Sequence, residues 1–272
     1  MPGDVSLNSS SACLFDRSSH GQRELWNAEA ERYAASPTAD FGSDGFLKIL
    51  DASGVLTPQA RVLDLGCGPG IYSVAIAARV REVLGADVSE EMLRHARKRA
   101  LEENRLNCSF SVVDWPRADL DKTHWRKAFD LAVARLTPAI NTPEDMDKLL
   151  DCARKAVFME QFVRRSHPWM HLAFDIAAAG TPWNDERVET IIGHLRQTGM
   201  DLVVHERTAQ WGASNRPWEQ VADFCLRRLA LKMPVSEELA RSIRSEFQRR
   251  SSNGVLDARE TLTLVTVQCM LE

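Results

Sequence analysis

No run of about 18 apolar residues occurs anywhere in this chain, so no segment is expected to span a bilayer. Between Met1 and His20 there is no basic segment followed by an apolar run, the pattern of a secretory leader, and the expected location is cytoplasmic. The six cysteines (Cys13, Cys67, Cys108, Cys152, Cys225 and Cys269) include no CxxC pair and no zinc-type Cys/His spacing. That argues against a disulfide framework or a structural zinc, and for free thiols in a reducing compartment. An excess of positive charge is also missing. Lys plus Arg is 34 against Asp plus Glu 38, a net charge of -4, and no overall field steers the chain onto nucleic acid. Internal repeats are absent, and the one low-complexity stretch is Ser9 to Ser19, which is expected to fray.

What is present is ordinary globular material: 272 residues, 44% hydrophobic and 26% charged, enough for one large domain or two small ones. Order is expected to begin near Gly21. Apolar spacing predicts a helix from Gln22 to Ala35, stopped by Ser36-Pro37, because the residue before a proline avoids the α region. A second helix is expected from Ser43 to Ser53, closed by Gly54. Short apolar runs then alternate with helical patterns: strands at Arg61 to Gly66, Val83 to Asp87, Ser109 to Asp114, Phe129 to Ala134 and Ala156 to Val163. Helices are expected after Gly70 and from Ser89. Ser89 suits an N-cap, Glu90 and Glu91 suit the positive end of the dipole, and Met92, Leu93, Ala96 and Ala100 share a stripe. Strand, helix, strand at this rhythm predicts an α/β fold with a parallel sheet wrapped on both faces.

Ligands of such sheets bind beyond the carboxyl ends of the strands. After the first strand the chain reads Asp64-Leu65-Gly66-Cys67-Gly68-Pro69-Gly70, with glycines at alternate positions leading into a helix. A dinucleotide fingerprint would place another glycine at position 71, which is Ile71, so the spacing argues against NAD. Asp87, ending the second strand, can accept hydrogen bonds from two ribose hydroxyls. Asp114, ending the third, can accept from an exocyclic amine and is followed by the flat apolar Trp115. Together these residues describe a nucleoside pocket without a pyrophosphate site; the plainer alternative is that the carboxylates only cap helices or tie down loops.

VLDLGCGPG at Val62 to Gly70, GADVSEEML at Gly85 to Leu93 and SVVDW at Ser111 to Trp115 resemble the first three motifs of class I S-adenosylmethionine-dependent methyltransferases of the small-molecule, type 11-like kind. The resemblance covers Ala60 to Val163. It implies a Rossmann-like, doubly wound, seven-stranded sheet whose last strand is antiparallel, with Asp201 to Ala209 as the sixth strand and Thr261 to Leu271 as the seventh. It also implies that Gly66, Cys67 (through its backbone), Gly68 and Gly70 contact the methionine and ribose portions of S-adenosylmethionine, and that Asp64 supports the loop and receives the ammonium group. Asp87 would hold the ribose, Val88 and Met92 would pack on the adenine, and Asp114 with Trp115 would complete its pocket. WNAEAERY, Trp26 to Tyr33, is similar to the family's N-terminal helix that covers the cofactor, which brings in Tyr33. The layout implied is a frayed segment at 1–20, a helical lid at 21–56 and a methyltransferase domain at 57–272 with a helical insertion at about 213–252. The expected partner is a small-molecule methyl acceptor, with no nucleic acid and no membrane.

The chain departs from one family pattern. After the fourth strand it carries Ala134-Arg-Leu-Thr-Pro-Ala-Ile140 where enzymes methylating nucleobase or glutamine-amide nitrogen have [N/D/S]-P-P-[Y/F/W], which argues against those acceptors. Arg135 and Thr137 fall where the cofactor's methionine end and the acceptor would meet; for Arg135 an edge salt bridge is the alternative. His167 and His171 are four apart, but Pro168 and the lack of a further ligand nearby argue against a metal, leaving pocket lining, general-base work or simple packing. Glu160 lies in an otherwise apolar strand, as a cleft-facing strand end or as a base. Pro217 to Leu231 and Ser236 to Arg250 are expected helices whose apolar faces pack a core or roof the acceptor. Two other functions remain open at this point: a catalytically silent cofactor-binding module, and an RNA methyltransferase.

Overall fold

The computed structural model describes residues 19–180, 186–212, 214–230 and 233–271. Two helices come first, α1 (Ser19–Ala34) and α2 (Gly45–Ala52), followed by β1 (Arg61–Leu65), α3 (Ile71–Ala77), β2 (Glu82–Asp87), α4 (Glu90–Glu102), β3 (Cys108–Val112), β4 (Phe129–Arg135), α5 (Pro143–Cys152) and β5 (Ala153–Ser166). The described residues that follow include α6 (Pro168–Ile176), α7 (Arg187–Gln197), β6 (Leu202–Trp211), β7 (Arg216–Pro217), α8 (Trp218–Ala230), α9 (Glu237–Arg250), β8 (Val255–Leu256) and β9 (Glu260–Met270).

Seven strands join in the order β3-β2-β1-β4-β5-β9-β6. The pairs β1–β2, β1–β4, β2–β3 and β4–β5 are parallel. The last strand runs the other way. Leu271 N donates to Lys155 O at 2.8 Å and Thr266 Oγ1 to Glu160 Oε2 at 2.9 Å, so numbers rise along β9 as they fall along β5. Met270 N to Asp201 O and His205 with Gln268 repeat the relation between β9 and β6. The expected doubly wound seven-stranded sheet with an antiparallel last strand is therefore the observed one. Chain order reverses between β1 and β4, and in sheets of this kind ligands bind beyond the carboxyl ends of the strands at such a point.

Burial explains why these segments are strands. In β1, four of the five residues are buried and only Arg61 is part-exposed, as in a parallel strand covered on both faces. Val62 of β1 joins Phe46, Leu47, Leu50, Ile76, Leu131, Val133 and Phe158 in one core. The α4 signals work as expected: Ser89 Oγ accepts from Met92 N at 3.1 Å, and Met92, Leu93, Ala96 and Ala100 are buried.

Some boundaries differ from expectation. Helix α1 begins at Ser19, so residues 19 and 20 are helical instead of frayed, while 1–18 lie outside the described residues. Strand β3 stops at Val112 and a 3-10 turn spans Trp115–Arg117, so Asp114 stands just before that turn, with no side-chain cap bond, instead of ending the strand. Helices α5, α6 and α7 are not among the expected ones. The first has a clear local signal: Thr142 and Asp145 form a capping box around Pro143 at the first helical position.

The chain divides into two compact units. The larger takes in Ser18–Gln161, Glu186–His205 and Val265–Glu272. The smaller, drawn from Phe162–Asp185 and Glu206–Leu264, holds α6, α8, α9 and the β7–β8 pair around Met170, Phe174, Val221, Cys225, Leu229, Ile243 and Phe247. The two helices expected between the sixth and seventh strands are thus α8 and α9. Among the described residues no helix is long and apolar enough to cross a membrane.

Candidate functional site

The glycine loop after β1 hangs from the end of β2, where Gly66 N and Cys67 N both donate to Ala86 O, at 2.7 and 3.1 Å. Gly66, Gly68 and Gly70 have φ of +69°, +53° and +77°, a region that side chains with a Cβ rarely enter. At Gly66 a Cβ would also meet Thr137 Oγ1 at 2.0 Å, and at Gly70 it would lie 3.1 Å from Ala96 Cα in α4. Close packing therefore dictates glycine at the two ends of the loop. Gly68 is different. Its Cβ would meet only Met92 Sδ, at 3.9 Å, so the middle of the loop presents uncrowded backbone.

Asp87, at the end of β2, grips this loop. Its Oδ2 accepts from Gly68 N and its Oδ1 from Ser89 N, each at 2.9 Å. Burial raises its pKa above the ordinary carboxylate value, and the backbone N–H bonds pull it back. Each oxygen keeps a lone pair that can accept another hydrogen bond. Val88 is half-buried and Met92 buried beside it.

Asp64 is almost wholly enclosed, and Ser73 Oγ donates to its Oδ2 at 2.5 Å. Burial, reinforced by the nearby Asp87 charge, moves its pKa from the ordinary 3.8 to about 6 against the lowering effect of Ser73. The neutral carboxyl thus stabilises the fold fully below pH 3.8, and that stability is lost as pH rises through 6, a difference of about 3 kcal/mol. Asp64→Asn cannot ionise. In urea titrations at pH 4, 5.5 and 7 the variant is expected to gain on the native chain by about that amount as pH rises; a pH-independent difference would contradict the assignment. The Cys67 thiol is buried and its pKa is pushed well up by desolvation, which makes it a poor nucleophile.

Arg135, at the end of β4, pairs in register with Glu160 of β5. Its Nε lies 2.8 Å from Glu160 Oε1, with 12% of the Arg135 side chain exposed and none of Glu160. Thr266 donates to the other carboxylate oxygen. The guanidinium carbon also sits 4.2 Å from the Tyr72 ring centroid, and Tyr72 donates to Asp44 Oδ2 at 2.7 Å. Arg135 thus belongs to a buried ion pair instead of an edge salt bridge, and Glu160 is enclosed instead of facing a cleft. Thr137, next along, is buried against Gly66. Leu136 between them holds a left-handed φ of +50°, a strained conformation for a residue with a side chain.

The remaining candidates scatter. Trp115 is buried, its indole donating to Asp145 O at 3.3 Å under the Lys148 ammonium, so it packs the protein and offers no open platform. Asp114 stays part-exposed, 3.7 Å from Arg117. Tyr33 is 37% exposed and meets Trp26 edge-on at 5.8 Å, on the shared face that their two-turn spacing implies. His167 is the N-cap of α6 in the smaller unit, accepting from Met170 N, with a pKa lowered by burial. His171 is half-buried on the same helix. Among the described residues no cluster of metal-binding side chains forms. Sequence reasoning missed the Asp44–Tyr72 pair and the contacts of Arg99 described below, because neither has a local motif.

A family model described as a methyltransferase domain matches residues 62–157. Over 68 residues the chain is 41% identical to the 23S rRNA (uracil(1939)-C(5))-methyltransferase RlmD of Shewanella sediminis, covering 25% of this chain and 15% of that protein. Over 86 residues it is 37% identical to trans-aconitate 2-methyltransferase of Rhodococcus jostii, covering 30% and 32%. The chain thus spans about a third or less of the length of these curated relatives. Its fold resembles that of magnesium protoporphyrin IX methyltransferase (ChlM) from Synechocystis, solved with bound SAH, with a TM-score of 0.53 at 15% identity over 92% of this chain and 98% of that one.

Proposed function

We propose, from the premise that the chain carries a class I methyltransferase domain, that it transfers the methyl group of S-adenosylmethionine to a small-molecule acceptor. The observation carrying this reading is Asp87 at the end of β2, holding Gly68 N and Ser89 N while each oxygen retains acceptor capacity. The residues fit the cofactor. The backbone around Gly68 is open to a close approach, Ile71 replaces the glycine a dinucleotide loop would need, and a sulfonium nucleoside brings no pyrophosphate. Asp87 would accept the ribose hydroxyls, Val88 and Met92 would flank the adenine with Asp114 near its amine, and Gly66 to Gly70 would face the methionine portion. When bound, that cofactor supplies an activated methyl group. The chain's own part is alignment and exclusion of water, and the buried Arg135–Glu160 pair balances its own charge beside the loop.

A small acceptor is favoured over RNA by the net charge of -4. Methyl-labelled S-adenosylmethionine incubated with the protein and a fractionated cell extract is expected to place label in low-mass products. Label in RNA, with salt-dependent RNA binding, would replace the acceptor assignment. Cofactor binding with no labelled product in any fraction would indicate a silent binding module.

A further inference from the structure

Arg99 of α4 lies at the crossing of three segments. Its Nε donates to Pro69 O at 3.0 Å, inside the glycine loop; its Nη1 donates to Thr38 Oγ1 at 2.9 Å; and its Nη2 donates to Ala34 O at 3.1 Å and Ser36 O at 2.8 Å. One planar guanidinium thus joins the loop to the C-terminal end of α1 and the turn after it, a geometry a flexible ammonium cannot reproduce. A second tie lies beside Asp87. Asn27 Oδ1 in α1 accepts from Ser89 Oγ at 2.6 Å and from Glu91 N at 3.4 Å, and Ser89 N is one of the two donors to Asp87. Helix α1 is therefore fastened at its middle beside the Asp87 carboxylate and at its C-terminal end to the loop that Asp87 grips.

We propose that Arg99 is a positioning residue, which with Asn27 couples α1 to the glycine loop so that ordering of the loop by ligand and seating of α1 occur together. The inference rests on the reading above that this loop holds the nucleoside. Arg99 touches no ligand itself. It acts through Pro69, whose carbonyl it fixes between Gly68 and Gly70, and through the three oxygens at the end of α1.

The test uses the full chain, S-adenosylhomocysteine as probe, hydrogen exchange and calorimetry. Arg99→Ala is expected to speed exchange in both 19–38 and 66–70 without ligand, and to weaken S-adenosylhomocysteine about tenfold, equivalent to about 1.4 kcal/mol. Arg97→Ala, which removes an exposed 2.7 Å contact to Glu90 on the same helix, should change neither. Arg99→Lys should fall between Arg99→Ala and the native chain in both readouts, and it serves if Arg99→Ala does not fold. Exchange raised only in 19–38 with unchanged affinity would reduce Arg99 to a helix fastener and overturn the proposal, as would native behaviour in both segments. If the native chain fails to bind the probe, the function proposed above falls, while the ligand-free exchange of the two segments still decides whether Arg99 couples them.

Discussion

Asp87→Ala is expected to weaken S-adenosylhomocysteine by about a hundredfold while the chain stays folded, since it removes two charge-assisted hydrogen bonds at about 1.5 kcal/mol each. The substitution also frees Gly68 N and Ser89 N, the two groups Asp87 holds. Asp87→Asn separates the effects. The amide oxygen can still accept from one backbone N–H, but its nitrogen accepts neither from the second N–H nor from a hydroxyl, so most of the affinity loss should remain while the loop exchanges more slowly than in Asp87→Ala. Affinity unchanged in either variant would move the ribose elsewhere.

The largest stability effect is expected at Glu160. Glu160→Ala leaves the Arg135 guanidinium 88% covered without its carboxylate, and removing one partner of a buried pair costs about 3–5 kcal/mol. Tyr72 offers only its ring face, at 4.2 Å, which compensates a small part of the lost charge interaction. Replacing both residues by apolar ones of similar volume should be far milder than the single change, because no charge is then stranded. Denaturant titration of Glu160→Ala and of the Arg135→Met, Glu160→Met double variant gives the comparison. A single variant as stable as the native chain, or a double variant less stable than the single, would show that the pair is not the dominant contact there.

Both effects bear on what is legible in a linear chain. The glycine loop, Ser89 as a cap and the stripe on α4 are read correctly because each depends on residues within a turn or two. Asp87 is legible as the end of a short strand next to the cap Ser89, while its bond to Gly68, 19 residues away, fits the plainer alternative of a carboxylate that ties down a loop. The Arg135–Glu160 pair is not, since it arises only when β4 and β5 align in register, and an isolated arginine at a strand end looks like a surface charge. Trp115 misleads because β3 ends at Val112, and the turn that follows swings the indole inward toward Asp145. The long-range bonds of Arg99 to Ala34, Ser36, Thr38 and Pro69 carry no sequence signature at all. Helix α5 shows a third kind of case: its capping box, Thr142 and Asp145 around Pro143, is a local signal contained within one turn.

If Gly68 and Asp87 hold the nucleoside as proposed, the chain takes a sulfonium nucleoside and not a dinucleotide. Calorimetric titration of the native chain with S-adenosylmethionine, S-adenosylhomocysteine and NAD tests it directly. The account predicts saturable one-site binding of both sulfur nucleosides and none of NAD. Tight binding of NAD, or no heat from either sulfur nucleoside, would contradict it.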